Sequence, residues 1–540
     1  MLQIKKWRAG ILTFESRAAY KNPFLDLTIE AVFEGPSAQV IRREAYWDGG
    51  NIYKVSFAPT EEGEWKFTLA APVSTGLDGL SGSLECLPYD GELPIYQHGF
   101  LKVSEDGRYL TYADGEPFFW LGDTHWEFAY REKWEESNHP QMGSMFKGMA
   151  DRRFEQGYNV YQTNLRSDSW KSKNTLYWDE SSEEDLPNVA FYQQELDRRM
   201  YYLADLGFVN ALGLAWSMSI RSEADVPHQI NLARYIIARY GALPICWTLC
   251  GEVAGYFPGK PREVAIAGWR KVALYIESRD GYNNLQTAHY TNERPFADYY
   301  HYEDWYDFTL NQAGHGDFTI SASDYQTYRR RYPDKPFIEG EAMYEFCSTL
   351  EINGTRECTP DMVRRVAYTT IQCGGCGYTY GAQGIWDCVW EKDSSAEAER
   401  KNAKNTFNRF NITWAESIDG PAAAQMGLMK KFYEENDFTA FRPYRQTPDP
   451  AEEANPFLAR RPLMTANADH TAMILYYSVR DVNSLLIEDF PKGTYVARWF
   501  DPRTGLYKPA QTFIPQEGRW TAPERPGMDD MLLVIRKKEG

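Results

Sequence analysis

From Gly99 onward one pattern repeats: a short apolar run, a polar loop, then a segment with apolar residues at helical spacing. Phe118 to Leu121 is the first such run and leads into GDTHW (122–126). GYNVYQTNL (157–165), FVNALGLAW (208–216), LPICWTLCGE (243–252) and NLQTAHY (284–290) follow as strands two to five. FTLNQAGHG (308–316), KPFIEGE (335–341) and CGYTYGAQGIW (376–386) are strands six to eight. Helical periodicity is read over 191–206, 230–242, 263–280, 320–331 and 360–372, with a final helix near 422–434. Apolar strands alternating with amphipathic helices imply a parallel sheet, because each crossover must cover a face. Eight such units close a (β/α)8 TIM barrel. The rival, a doubly wound open sheet, has no Gly-rich phosphate fingerprint to support it.

On either side the pattern is different. Residues 1–94 carry short alternating runs such as LDLTIEAVF (25–33) and YKVSFAP (53–59), broken by turn signals, which predicts a small β-sandwich. After the polar stretch PDPAEEANP (448–456), β patterns return in TAMILYYSV (471–479), TYVARWFD (494–501) and DMLLVIRK (530–537), so residues 455–540 are read as a second β-sandwich. The expected class is therefore α/β: a barrel over 95–440 with a sandwich at each end.

Charge and composition narrow the function. A net charge of −18 argues against nucleic acid, which needs clustered Lys and Arg. The chain has no stretch of about 18 apolar residues and its amino terminus lacks a secretory apolar run, so the expectation is a cytoplasmic protein with no membrane partner. The 17 Trp and 37 Tyr exceed what core packing normally needs, and rings with a polar edge suit the faces of sugars. Eight Cys in 540 residues make no disulfide framework. Cys373 and Cys376 form a CxxC with no second CxxC or His pair nearby, so no metal and no cofactor are expected. Homo-oligomerisation is left open.

In a β/α barrel the reacting groups gather at the carboxyl ends of the strands. Those ends supply Asp123, His125 and Trp126 from strand one, Asn164 from strand two, Trp216 from strand three and Glu252 from strand four. His289 follows from strand five, Gln312 and His315 from six, Glu341 and Tyr344 from seven, and Gln383 and Trp386 from eight. Every strand ends in a group suited to hydroxyls or sugar faces. Two carboxylates, Glu252 and Glu341, end strands that lie nearly opposite, and glycoside hydrolysis needs such a pair. Trp247, an odd number of residues from Glu252, is read as core. Strand alternation puts Glu339 on the same face as Glu341. Glu339 therefore stands as a rival nucleophile, and Glu345 as a sugar ligand or loop anchor.

Glutamates ending strands four and seven mark the clan of retaining glycosidases that includes family 5. More closely, WLGDTHW (120–126), CWTLCGE (246–252), PFIEGEAMYE (336–345) and GYTYGAQGIW (377–386) resemble the apiosidase-like barrel family, related to family 140 as well. That family often carries an N-terminal module and a C-terminal β domain, and WFDPRTG (499–505) fits the latter. The resemblance implies Glu252 as acid/base and Glu341 as nucleophile, with Asp123, His125, His289, His315, Tyr344, Gln383 and Trp386 shaping the sugar subsite. One position departs: the wider clan has Asn immediately before the acid/base, and here that residue is Gly251. The expected activity is a retaining, exo-acting β-glycosidase on a small oligosaccharide or glycoside, a pentofuranoside such as apiose included. The alternative is a carbohydrate-binding protein without turnover.

Overall fold

Seven parallel strands form the central sheet of the computed structural model. They are Trp120–His125, Val160–Asn164, Val209–Trp216, Ile245–Gly251, Thr309–Gln312, Phe337–Glu341 and Gly377–Tyr380. In the numbering used above these are strands one to four and six to eight, and they pair in the order four, three, two, one, eight, seven, six. The structure describes residues 2–129, 131–165, 176–179, 181–182, 184–255, 262–291, 298–315, 322–351, 354–392, 395, 411–444, 461–479 and 481–538. The linker expected at 448–456 lies outside them.

The segment expected as strand five forms isolated parallel bridges rather than a ladder. Gln286 bridges to Trp247 within strand four, Tyr290 to Val253 just beyond it, and His289 to Leu310 of strand six. Side chains replace part of the missing ladder: Asp307 accepts from the Gln286 N–H at 2.7 Å, and the Thr287 hydroxyl donates to the Phe308 carbonyl at 2.5 Å. The segment thus spans the gap between the sheet's two ends, which is nearly closed.

Helices at Met145–Glu155, Asp197–Asp205, Val226–Tyr240, Arg262–Arg279, Ala322–Arg331, Pro360–Gln372 and Pro421–Glu435 cover the outside. Each bears an apolar face toward the sheet; Met362, Val363, Val366, Ala367 and Ile371, at steps of one, three and four, form one such face. Among the described residues no helix separates 284–290 from strand six, so the expected eighth repeat lacks its crossover helix.

Strand one differs from its expected limits. Phe118 belongs to a small antiparallel patch (102–103, 110–111, 117–118), while the parallel strand begins at Trp120 and runs through GDTH. Trp120 fills the barrel floor together with Val160, Ala211, Cys246, Leu310 and Ile338. Its indole donates to Thr379 at 3.0 Å, and a Cβ at Gly377 would lie 2.4 Å from its own. Only glycine leaves that approach open.

Five strands (2–5, 30–34, 40–44, 63–70, 81–87) form one N-terminal sheet and three (10–15, 46–47, 52–57) another. Phe33 of the first stacks on Phe57 of the second at 3.7 Å, and their core continues into the barrel floor. Polar contacts join these sheets to the helix at 226–240: Arg43 donates to the Ile237 carbonyl at 2.7 Å, and Arg239 pairs with Asp48 at 2.8 Å. At the other end a seven-stranded sheet built mainly from 463–466, 472–477, 495–501 and 531–537 packs on the helices at 360–372 and 421–435. There Arg364 grips Asp530 through two bonds of 2.9 and 2.6 Å, and Tyr368 stacks on Tyr476. Among the described residues no helix is long and apolar enough to cross a membrane. All eight cysteines are buried.

Candidate active site

Strand four ends at Gly251, and the chain then turns through residues in the left-handed region: φ is 52° at Glu252 and 64° at Ala254. Such backbone is costly away from glycine and persists where surrounding contacts impose it. Here the Glu252 N–H donates to Nδ1 of His289 at 3.3 Å, and Gln312 Nε2 donates to Glu252 Oε1 at 3.3 Å.

On strand seven the ladder slips. Asn311 of strand six lies opposite Glu339, but the next residue, Gln312, lies opposite Glu341, so Gly340 is an extra residue. A bulge of this kind interrupts the alternation of side chains. The expectation that Glu339 and Glu341 share a face is therefore corrected. Glu339 turns outward, where its carboxylate accepts from Asn311 Nδ2 (2.6 Å), the Ala313 N–H (2.9 Å) and the Tyr325 hydroxyl (2.9 Å) on the covering helix. Glu341 turns into the mouth, with His315 Nε2 at 3.0 Å from one oxygen and His289 Nε2 at 3.2 Å from the other.

The two mouth carboxylates are held in opposite states. Burial would push Glu341 up, but the contacts with His289 and His315 outweigh it and hold the group well below the usual carboxylate range. Burial, and then the negative charge of Glu341, push Glu252 above that range. Two carboxyl groups whose environments separate their pKa values are suited to different roles in one reaction.

Aromatic rings and amide groups surround the pair. Trp126 meets Trp216 and His289 edge to face at 5.7 and 5.3 Å, and Tyr344 packs against His315 at 4.5 Å and Trp386 at 6.4 Å. Asn164 Nδ2 donates to the Ala215 carbonyl at 3.0 Å. A Cβ at Gly251 would fall 2.6 Å from the Trp216 ring and 2.9 Å from that same Nδ2. The side chains of Trp216 and Asn164 thus occupy the space that a larger residue before Glu252 would need. Asn164 Oδ1, Trp216 Nε1 and Gln312 Oε1 are buried with no hydrogen-bond partner among the described residues. Buried polar atoms left unpaired are costly, and hydroxyl groups of a ligand would satisfy them.

Asp123 and His125 lie elsewhere. Because strand one continues to His125, these two alternate with Thr124 and point to the helix layer. His125 donates from Nε2 to Asp123 at 3.0 Å and from Nδ1 to Glu132 at 2.7 Å, and Arg153 also binds Asp123. Both residues are fully buried. Burial alone would lower His125, but the Glu132 and Asp123 carboxylates raise it to about 9. With both ring nitrogens bonded, the imidazole has no group left for a sugar. The structure thus corrects the sequence reading of Asp123 and His125. Gln383 is likewise engaged, donating to Asp387 at 2.7 Å and accepting from the Trp386 indole at 3.3 Å. Glu345 anchors the helix at 421–435 by accepting from the Ala422 N–H at 3.0 Å, and it also accepts from the Tyr380 hydroxyl. Trp247 is buried and donates to Asp280 at 2.6 Å on the outer face; the ladder slips between it and Leu249, so parity with Glu252 does not decide that face.

Sequence reading missed Gln162, whose amide donates to the Gly340 carbonyl at 2.8 Å and so braces the bulge. Its even spacing from Asn164 was the available signal. It also missed Asp387, which burial pushes up to about 7; nothing local in IWDC marks that residue. Among the described residues no group of three His, Cys, Asp or Glu could hold a metal ion.

Comparison with known proteins places this geometry. Residues 104–440 match the model of the apiosidase-like catalytic domain, and residues 3–71 match a domain of unknown function, DUF5060. No curated protein matches the sequence. A Bacteroides vulgatus ATCC 8482 protein described as a candidate glycoside hydrolase shares the fold over 100% of both chains, with a TM-score of 0.73 and 16% identity. A family 5 glycoside hydrolase of the same organism covers 83% of this chain and 95% of its own, with a TM-score of 0.64 and 19% identity. The catalytic domain is that of a glycoside hydrolase. The chain belongs to the apiosidase-like family.

Proposed function

We propose that this chain is a retaining, exo-acting β-glycosidase of small oligosaccharides or glycosides, with Glu341 as nucleophile and Glu252 as acid/base. The observation that carries the reading is the opposed tuning of two carboxylates that share one histidine: Glu341 is held ionised and Glu252 is pushed toward its protonated form. In the first step a Glu341 oxygen bonds to the anomeric carbon as the glycosidic C–O bond breaks, and Glu252 gives its proton to the leaving oxygen. Water then attacks the same carbon, gives a proton to Glu252 and releases Glu341. Trp126, Asn164, Trp216, His289, His315, Tyr344 and Trp386 are the proposed sugar contacts. Glu341 is only 5% exposed, which suits a terminal sugar entering end-on better than a polymer lying across the mouth.

We further propose that the parallel sheet and the bridging segment 284–290 together are a (β/α)8 barrel over 95–440. The β regions at 1–94 and 455–540 are then packing sandwiches. Incubation with 2-deoxy-2-fluoro glycosides, pentofuranosides included, followed by peptide mass spectrometry tests the mechanism. A covalent sugar on Glu341 is expected. Turnover with net inversion at the anomeric carbon, or a label on any other residue, overturns it.

A further inference from the structure

A second cavity, of about 220 Å³, lies at the opposite end of the barrel from Glu341. It is walled by Arg108 and Tyr109, by the turn Cys373–Cys376 that opens strand eight, and by Phe438, Phe441 and the first strand of the C-terminal sheet, Arg442–Pro443. Three guanidinium groups face it: Arg108, Arg329 and Arg442. One carboxylate, Asp106, answers two of them, at 2.6 Å from Arg108 and 3.5 Å from Arg442. Arg329 donates to the carbonyls of Tyr332 (3.4 Å) and Lys335 (2.6 Å), and among the described residues it pairs with no carboxylate. Burial and the neighbouring Arg108 charge pull both Arg329 and Arg442 below the usual guanidinium range.

This concentration of positive charge stands out in a chain of net charge −18. Three guanidinium groups sharing one paired carboxylate leave an excess of positive charge, which is costly where partly buried and which a bound anion offsets. Guanidinium groups also present forked donors that match phosphate, sulfate and carboxylate geometry. The rest of the wall is apolar, including Ile371, Tyr433, Phe438 and Phe441. The volume leaves room for an oxyanion with a small organic remainder.

We propose that this cavity is a binding site for a small organic oxyanion, held by Arg108, Arg329 and Arg442 with its apolar part against Phe438 and Tyr109. Because the barrel layer supplies Arg329 and the short strand Arg442–Pro443 of the C-terminal sheet supplies Arg442, the bound anion ties the two together. The site is remote from the proposed nucleophile and does not depend on the proposed reaction.

Thermal unfolding of the full chain tests it, with inorganic phosphate, glycerol 3-phosphate and benzoate each titrated against sodium chloride at equal ionic strength. A saturable rise in Tm of several degrees is expected for the first two probes at least, as for any ligand that binds only the folded state. The rise should vanish in Arg329→Met and in the more exposed Arg442→Met, which serves if the first variant folds poorly. A tighter response to glycerol 3-phosphate than to phosphate supports the apolar wall's part; equal responses remove that part. No saturable rise, a rise that chloride reproduces, or an undiminished rise in both variants overturns the site.

Discussion

The backbone N–H of Glu252 donates to Nδ1 of His289, and that bond fixes which ring nitrogen faces the opposite side of the mouth. With Nδ1 accepting, the ring proton sits on Nε2, 3.2 Å from Glu341 Oε2. One side chain thus holds the turn that carries the proposed acid and keeps the proposed nucleophile ionised. The link is direct: no covalent connection or metal is needed to couple strands four and seven.

The same coupling predicts the pH profile. Glu341 must be ionised and lies below the usual carboxylate range, so the acid limb of kcat/KM should fall below that of an ordinary glutamate. Glu252 must be protonated and lies above that range, so activity should decline as pH rises through its raised pKa. Glu252→Gln should remove the alkaline limb and cost most on alkyl glycosides, least on nitrophenyl glycosides with acidic leaving groups. Equal losses on both substrate types, measured by initial rates, would count against the role.

Glu339→Gln separates support from chemistry. Its carboxylate accepts from Asn311, Ala313 and Tyr325, and an amide there would turn a donor toward donors. A stability loss of about 1–3 kcal/mol is expected in urea unfolding, the range for an unsatisfied buried polar group. The fluoroglycoside label should still reach Glu341. In Glu341→Gln, by contrast, turnover should fall by orders of magnitude with Tm little changed.

Gly251→Ala should disturb the mouth more than the fold. The added methyl would meet the Trp216 ring at 2.6 Å and Asn164 Nδ2 at 2.9 Å, so the ring must swing. Overpacking of this kind costs about 1–3 kcal/mol. A drop in kcat/KM of tenfold or more with an intact circular dichroism spectrum is expected; unchanged kinetics would show that Trp216 and Asn164 take no part in binding.

His125 should make the fold alkali-sensitive. Its folded pKa of about 9 exceeds the unfolded value of about 6.5. The stabilisation is therefore fully present below about pH 6.5 and is lost as pH rises through about 9. The difference amounts to on the order of 3 kcal/mol. Urea unfolding at pH 6 and pH 9.5 should show that loss in the parent chain and a flatter dependence in His125→Gln.

Much of this protein was legible in its sequence. The alternation of apolar runs and helical periodicity located seven of the eight expected strands in parallel pairing, because period and burial are local properties of a chain. Glu252 and Glu341 were found as the carboxylates at the ends of strands four and seven. Where reading failed, the deciding contact came from another strand. The bulge at Gly340 exists because Gln312 pairs with Glu341 instead of its neighbour, and only that register turns Glu339 outward. Strand one continues through GDTH because Arg153 and Tyr161, from the helix and strand that follow, and Glu132 in the intervening loop hold Asp123 and His125 behind it. A sequence states which side chains are available; register and long-range charge pairing choose the face each one takes, and those are set only when the sheet has closed around them.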